Sequence, residues 1–492
     1  MKKIIIPLLI FPVFLFGDYP FIPNVKISGD SYGIVNHGES SFAVYKDTIY
    51  VVCNIAERPI IPMIPFSRSC NRGNTWDLDY AFIDSSTGIT WHTDPVVGVD
   101  DSGHVHLLVQ YYMNFIYHYL SRDGGITWAE TTLVSDTSTG GYVDKPWMVV
   151  KDSMVFITWQ EINGSEEGVR FAASFDYGRT FSIQTIDTLR GLTALNIGED
   201  GTLYLTYVRD SLYYTLSYDF GTTWISPKSL DKIEYSSGVG DRGPNSSIAV
   251  SPSGEIFIAW TDIRYGNWDI LGVKSYDGGI TWTGPYIIND VQQGGQCKCW
   301  VTCDPYGHLH LFYYSTPDWP TDTTSLWSVR YAFSPDFGNS FTPSIRITDT
   351  VFRGYFYDSR YTFMGDYHMI QADSDFIYAI WTDGRDGDMD LYFSRAALKA
   401  ISLNEYPTVQ RNSISLITTK TPYLLFNLEK DMILTVDLYD AIGRHIKTLA
   451  SGKFKSGKFV LPINILPQRG KIIFVNVKGD INKTFKLVMF PQ

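Results

Sequence analysis

The chain has 492 residues, too many for one ordinary core, so two or more domains are expected. Aromatic residues make up 15% of it, with 41 Gly and 23 Pro, a composition that suits many short strands joined by turns. The formal net charge of −12 argues against nucleic acid or an anionic membrane surface as a partner.

Residues 1–17 read as an export signal. Lys2 and Lys3 give a positive start, Ile4 to Phe16 is apolar, and Gly17 is a small residue ahead of Asp18. Such a run is too short to span a bilayer; the other reading is a buried N-terminal strand. No Cys stands at the cleavage point to take a lipid, and no later segment reads as transmembrane. The mature protein is expected to be exported and soluble, secreted or at the cell surface. Pro23 to Ser28 follows, ahead of a first strand at Ser41 to Tyr45, and has no sheet of its own.

One string then recurs. Ser69-Cys-Asn71-Arg-Gly73-Asn-Thr75-Trp76 is followed by Ser121-Arg-Asp123-Gly-Gly125-Ile-Thr127-Trp128, Ser174-Phe-Asp176-Tyr-Gly178-Arg-Thr180-Phe181 and Ser217-Tyr-Asp219-Phe-Gly221-Thr-Thr223-Trp224. Ser275-Tyr-Asp277-Gly-Gly279-Ile-Thr281-Trp282 and Ser334-Pro-Asp336-Phe-Gly338-Asn-Ser340-Phe341 complete six copies of S-x-D-x-G-x-T-W. The chemistry is that of a tight hairpin turn. The Asp carboxylate accepts backbone N–H groups further round the turn, and Asn71 keeps the acceptor oxygen. The Gly supplies a backbone angle that a Cβ opposes, and the Thr-Trp pair starts a strand. Six such turns mark a repeat architecture.

The repeating unit is clearest around the fifth copy. Ser246 to Val250 is strand A, Ser251-Pro-Ser-Gly254 a turn, Glu255 to Trp260 strand B, and Thr261 to Asn267 a loop. Trp268 to Ser275 is strand C, and strand D starts at Thr281 after the box. This is a four-stranded antiparallel meander. One meander cannot bury both faces, so such blades stack around an axis. A seventh unit, with strands at Tyr361 to Ala372, Phe376 to Trp381 and Asp390 to Ser394, lacks a box and a strand D. Pro23 to Ser28 is expected to supply the missing outer strand, which removes the exposed edges. Seven blades are expected, with six as the alternative.

The copies resemble the Asp-box (BNR) repeat of the sialidase superfamily of β-propellers, over residues 21–397. The resemblance implies an all-β Asp-box β-propeller whose boxes are structural turns on the blade periphery, away from the active face. The well-known sialidases have six blades, so a count of seven departs from that pattern. Residues 398–411 read as a linker and 412–492 as a small second domain, with alternating strands such as Leu434-Thr-Val-Asp-Leu438 and Ile472-Ile-Phe-Val-Asn-Val477. Leu438-Tyr-Asp-Ala-Ile-Gly443-Arg444, Lys447-Thr-Leu449 and Leu466-Pro467 resemble the C-terminal (Por) sorting domain of the type IX secretion system. That resemblance implies a small Ig-like β-sandwich that serves as an export tag and engages the type IX machinery. Gly470-Lys-Ile-Ile-Phe departs from the family pattern, and a plain Ig-like accessory module is the other reading.

In a blade of this order the A–B turns and the boxes share one rim, and the B–C and D–A loops share the other. Ligands of propellers usually enter where loops converge on the axis, so the second rim is the candidate face. Trp260-Thr-Asp262-Ile-Arg264 recurs there as Trp381-Thr-Asp383-Gly-Arg385, and repetition suggests an Asp–Arg pair that pins a loop. Residues that occur once, such as Glu161, Asp94, Arg242, Tyr357 and Arg360, are better functional candidates.

The sialidase resemblance implies a specific set of groups. Three Arg grip the carboxylate of the sugar, because guanidinium is a planar, permanently charged fork. A Tyr backed by a Glu is the nucleophile, and an Asp is the acid/base. This chain can supply Arg242, Arg264 and Arg360 for the clamp, Tyr357 and Glu161 for the nucleophile pair, and Asp94 for the acid. The family's Phe-Arg-Ile-Pro segment before the first box is absent; Ala56-Glu57-Arg58-Pro59-Ile60 is the nearest string, on another strand. The same residues also read as solvated and loop-pinning charges.

No cofactor and no metal are expected. Cys297, Cys299 and Cys303, followed by His308 and His310, are residue types that bind zinc, but they read as buried thiols and strand histidines. Cys53 and Cys70 are a candidate pair in the first blade. Two function classes follow. One is an exported exo-α-sialidase-like glycoside hydrolase; the other is a non-catalytic secreted or cell-surface propeller that binds glycan or protein, in keeping with aromatic loops around Trp300, Trp319 and Tyr355.

Overall fold

The computed structural model describes residues 20–29, 36–55, 63–82, 92–111, 113–135, 141–162, 167–234, 246–291, 293–318, 324–354, 364–402, 413–417, 423–428, 430–463 and 472–488. The export signal read at 1–17 lies outside them.

Each box connects the third and fourth strands of a sheet through the same few bonds. In the copy at 275–282 the Ser275 hydroxyl donates to Asp277 Oδ1 at 2.8 Å and accepts the Gly279 N–H at 2.8 Å. The Asp277 carboxylate accepts the Thr281 N–H at 2.9 Å and its hydroxyl at 2.6 Å. Burial pushes the Asp277 carboxyl up, but the bonds from Thr281 and Ser275 outweigh it and hold it below its ordinary value. In the first copy Asn71 Oδ1 takes the Ser69 hydroxyl at 3.0 Å and the Thr75 N–H at 2.9 Å, so the acceptor role survives the change to an amide. The turn takes two consecutive left-handed residues rather than one: Arg72 and Gly73 have φ of 57° and 83°, and Gly278 and Gly279 have 69° and 86°.

The second of these positions is glycine for a further reason, which is contact between sheets. A Cβ on Gly125 would lie 2.3 Å from the Phe66 ring, one on Gly221 2.3 Å from Phe171, and one on Gly279 1.9 Å from Tyr214. Each ring comes from the third strand of the preceding sheet, three residues ahead of that strand's Ser. The aromatic residue that ends the box then packs edge-on against the same ring: Trp128 on Phe66 at 5.6 Å, Trp224 on Phe171 at 5.0 Å and Trp282 on Tyr214 at 4.9 Å. Such pairs contribute about 1 kcal/mol each beyond the area they bury. The box therefore joins sheets as well as turning the chain.

Among the described residues seven four-stranded antiparallel units precede residue 398. Their inner strands are His37–Tyr45, His92–Val99, Tyr142–Lys151, Leu192–Ile197, Ser246–Val250, Gly295–Cys303 and Met369–Ala372. Each inner strand touches the next, and Met369–Ala372 touches His37–Tyr45, so the sheets form a closed ring, a β-propeller. The fifth sheet reproduces the sequence reading closely, with strands Ser246–Val250, Ile256–Asp262, Asp269–Ser275 and Thr283–Ile287. The sixth carries a short extra strand, Phe352–Arg353, on Leu326–Ser334.

Closure uses the chain's leading segment. Val25–Lys26 pairs antiparallel with Asp390–Ala397, Val25 opposite Phe393 and Lys26 opposite Tyr392. Phe393 in turn presses on the glycine of the first box, where a Gly73 Cβ would lie 2.2 Å from its ring, and Trp76 packs on it at 5.1 Å. The last sheet has no box to offer the sixth. Phe21 takes that place, edge-on against Tyr331 at 5.0 Å.

Within the stretch read as a linker, Leu398–Ser402 forms a short helical turn, with Leu398 and Ile401 buried in the last core. Beyond it a three-stranded and a four-stranded sheet share one apolar core that includes Leu424, Phe426, Leu434, Val436 and Val475. The strands expected around Leu434 and Ile472 are Met432–Asp440 and Ile472–Gly479.

All five cysteines are free thiols. Cys53 and Cys70 do not pair, because Cys53 points into the core cluster of the inner strands while Cys70 is exposed in the first box. Cys297 and Cys299 lie in different core clusters. His308 and His310 both turn to Asp304, at 2.9 and 3.2 Å.

Candidate functional site

Four of the inner strands begin with the same irregularity. Their pairing with the second strand slips between Gly38 and Ser41, Thr93 and Val96, Asp144 and Trp147, and Cys297 and Trp300. At each place two inner residues oppose one outer residue, which is a β-bulge. The first bulged residue is Glu39, Asp94, Lys145 or Lys298, with φ of 52°, 48°, 51° and 52°. Glycine is the usual occupant of such a position, and an L-residue there costs about 1 kcal/mol. All four occupants are charged.

The bulges lie at the D–A end of the inner strands, where the chain enters each blade, and their side chains converge on Lys145. Its ammonium lies 2.6 Å from Glu39 Oε1, 2.8 Å from Asp94 Oδ1 and 2.9 Å from Asp366 Oδ2. Asp366 precedes the seventh inner strand and shares its other oxygen with Lys298 Nζ at 3.2 Å. Lys145 thus joins residues of the first, second, third and seventh sheets. Asn54 Nδ2 donates to Glu39 Oε2 at 2.6 Å, and the Asp366 N–H donates to Glu39 Oε1 at 3.2 Å. Side-chain exposure is 13% at Lys145 and 6% or less at the other four. On the axial side Trp147 meets Trp300 at 4.9 Å and Tyr367 at 5.9 Å, and Lys145 stands 5.4 Å over the Tyr367 ring.

Three carboxylates compete for one ammonium, and they titrate differently. Burial raises Glu39 to about 7 against the pull of Lys145, with Asp94 and Asp366 adding to the rise. Burial likewise raises Asp94 and Asp144. Asp366 also feels burial, but it has both lysines, and their charges drive its carboxyl far below the ordinary range. Burial works against the charge of Lys145, yet Asp366, Asp94, Glu39 and Asp144 together hold its pKa well above normal. A protonated Glu39 beside an ionised Asp366 is the kind of split pair from which acid/base roles are made.

The pH dependence has a definite sign. The folded pKa of Glu39 lies above its ordinary 4.5, so the stabilisation it contributes is full below pH 4.5 and is lost as pH rises through 7. The loss is about 3 kcal/mol at most. Urea titrations at pH 5 and pH 8 are expected to show this decline in the wild type and a flatter response in Glu39→Gln.

The residues singled out in the sequence are distributed as follows. Asp94 is in the cluster. Glu161, buried near the end of Met154–Ile162, faces Arg170 of the adjacent strand at 3.7 Å. Arg264 is held by the protein at each of its three nitrogens: Nε to Asp262 Oδ1 at 2.9 Å, Nη2 to Asp262 Oδ2 at 2.7 Å, and Nη1 to Asp231 Oδ2 at 2.7 Å. Arg385 grips Asp383 in the same way, with Nε to Oδ1 at 3.0 Å and Nη2 to Oδ2 at 2.5 Å. Arg242, Tyr357 and Arg360 lie outside the described residues.

Glu39 and Lys298 were not singled out in the sequence. A usable signal exists: each bulge charge stands two or three residues ahead of the strand's renewed apolar alternation, as in Glu39-Ser-Ser-Phe42, Asp94-Pro-Val-Val97 and Lys298-Cys-Trp-Val301. Only alignment of the inner strands, rather than of the boxes, brings it out.

No family model and no curated protein matches the chain. Among solved structures it is similar to a protein of unknown function from Dyadobacter fermentans DSM 18053, with 14% identity over 77% of this chain and 99% of that one and a TM-score of 0.45. It is similar to the NanB sialidase of Streptococcus pneumoniae with 13% identity, 78% and 71% coverage and a TM-score of 0.41. A PL25 ulvan lyase shares 12% identity over 95% of this chain and 96% of that one, with a TM-score of 0.38.

Proposed function

We propose that this chain is an exported, sialidase-like propeller of seven blades that binds or acts on a glycan at the rim where the inner strands begin. The observation that carries this reading is the cluster around Lys145. Charged residues occupy four strained bulges where glycine would fit without strain, and strain retained at converging polar side chains is a mark of functional sites. Glycoside hydrolysis needs one carboxyl that holds a proton near neutrality and one that stays ionised. Glu39 and Asp366 have those properties, and Asp94 bonds to the same ammonium. Arg242, Arg360, Tyr357 and Glu161 remain the proposed contacts with substrate.

One observation favours a non-catalytic glycan-binding propeller as the second reading. Arg264, proposed for the carboxylate clamp, already spends its guanidinium on Asp262 and Asp231. The two readings separate on a glycan array run beside a panel of fluorogenic glycosides that includes sialosides. Binding or turnover that Asp94→Asn lowers at least tenfold, with Thr281→Ala unaffected, is the expected result. Absence of both binding and turnover would overturn the proposal.

Residues 18–397 are then the propeller, 398–411 the connection and 412–492 an Ig-like module. The two sheets on one core support that last assignment, and the strings at Leu438 and Lys447 support a role in type IX export. Removal of 412–492 is expected to leave the propeller in the periplasm; normal secretion of the shortened chain would count against the tag.

A further inference from the structure

The seven inner strands enclose an axial cavity of about 350 Å³, and every sheet contributes to its wall. That volume falls in the range of small-molecule sites, which begins near 300 Å³. Among the described residues the cavity is a blind cup. At the bulge end Ser41, Val96, Met148, Ile248 and Met369 are buried, and Trp147 and Trp300 form a floor with the Lys145 cluster behind it. Toward the A–B turns exposure rises on every inner strand, at Val44, Val99, Val150, Ile197, Val250, Thr302 and Ala372. The cup therefore opens on the rim that carries the boxes, opposite the cluster.

Its lining has a distinct chemistry. None of the described lining residues is charged: they are aliphatic, aromatic, methionine, hydroxyl and amide side chains. Polar groups gather toward the mouth. Gln371 is fixed through its Nε2 on the Phe42 carbonyl at 2.7 Å, and its amide oxygen has no partner among the described residues. The Thr302 hydroxyl, on the neighbouring inner strand, has none among them either. Asn196 is anchored on the Ile248 carbonyl at 3.0 Å. An uncharged wall rejects ions, because a buried charge without a partner is costly. An aromatic floor favours an apolar body, and an open acceptor at the mouth favours a donor.

We propose that this cup is a second binding site, for a slender uncharged molecule with an aliphatic or aromatic body and a hydroxyl or amide N–H at its outer end. The body lies on Trp147 and Trp300, and the outer donor reaches Gln371. This inference does not rest on the glycan reading, since the two sites lie at opposite ends of the axis.

The probe is N-phenyl-1-naphthylamine, which is neutral, apolar and bears one N–H; its charged counterpart is 8-anilinonaphthalene-1-sulfonate. Saturable one-to-one binding of the neutral probe, with quenching of tryptophan emission, is expected. Thr302→Phe, which narrows the mouth, should weaken it at least tenfold while circular dichroism and Tm stay unchanged. If Thr302→Phe fails to fold, Gln371→Met is the second variant, expected to weaken binding severalfold. No saturable binding, equal binding of the sulfonate, or undiminished binding in the folded variant would each overturn the proposal and leave a channel that holds water alone.

Discussion

Replacing Lys145 by Met is expected to cost about 3–5 kcal/mol of stability at pH 7.5, the usual penalty when one partner of a buried ion pair is removed. The reason is local. Glu39, Asp94 and Asp366 all lie within 2.9 Å of that ammonium. Without it Asp366 keeps Lys298, but Glu39 and Asp94 lose the cation that bonds to both. The same variant should recover part of its loss at pH 5, where Glu39 and Asp94, already raised by burial, take up protons and cease to need a cation. Urea denaturation of both proteins at the two pH values measures this. A loss below 1 kcal/mol at pH 7.5, or a loss that does not shrink on acidification, would show that the carboxylates are not held by Lys145.

Gly73→Ala is expected to cost about 2–4 kcal/mol, although the new group is a single methyl in an exposed turn. A left-handed φ of 83° contributes about 1 kcal/mol of that cost. The rest comes from overpacking, because the new Cβ would sit 2.2 Å from Cε1 of Phe393, whose ring is fully buried. Phe393 belongs to the last sheet and Gly73 to the first, so the methyl acts on the joint that closes the ring. Gly278→Asn in the fifth box is the control. Nothing lies within 4 Å of a Cβ there, and other boxes place Arg72 or Tyr177 at the same position, so a change below 1 kcal/mol is expected. Phe393→Leu, which makes room, should show a coupling of about 1 kcal/mol or more with Gly73→Ala. Additive costs for the two changes would argue that the box glycine is needed for its backbone angle alone.

Much of the architecture was legible because it rests on local chemistry. The Ser, Asp, Gly and Thr of a box bond to one another within eight residues, so six turns could be located and their strands placed around them. The break in the pattern was equally informative: a last unit with no box and a leading strand with no sheet predicted the pairing of Val25–Lys26 with Asp390–Ala397. Phe21 could not be foreseen as the partner of Tyr331, because that contact joins chain positions 310 residues apart. The candidate site was legible only in part. Asp94 was singled out as a charge that occurs once on the entry rim, whereas Glu39 and Lys298 were not.

The sequence by itself determined the recurring turn, the strand order within each unit and the need for a closed ring. Those depend on hydrogen bonds and alternation over a few residues, where covalent neighbours set the geometry. Tertiary structure alone decided that five charged side chains from five sheets meet at one end of the axis. It also decided that an uncharged cup lies behind them and that Asp231 of the preceding sheet closes on Arg264. Those outcomes depend on where separate sheets bring their bulges and edges together, a distance in space that no spacing along the chain encodes.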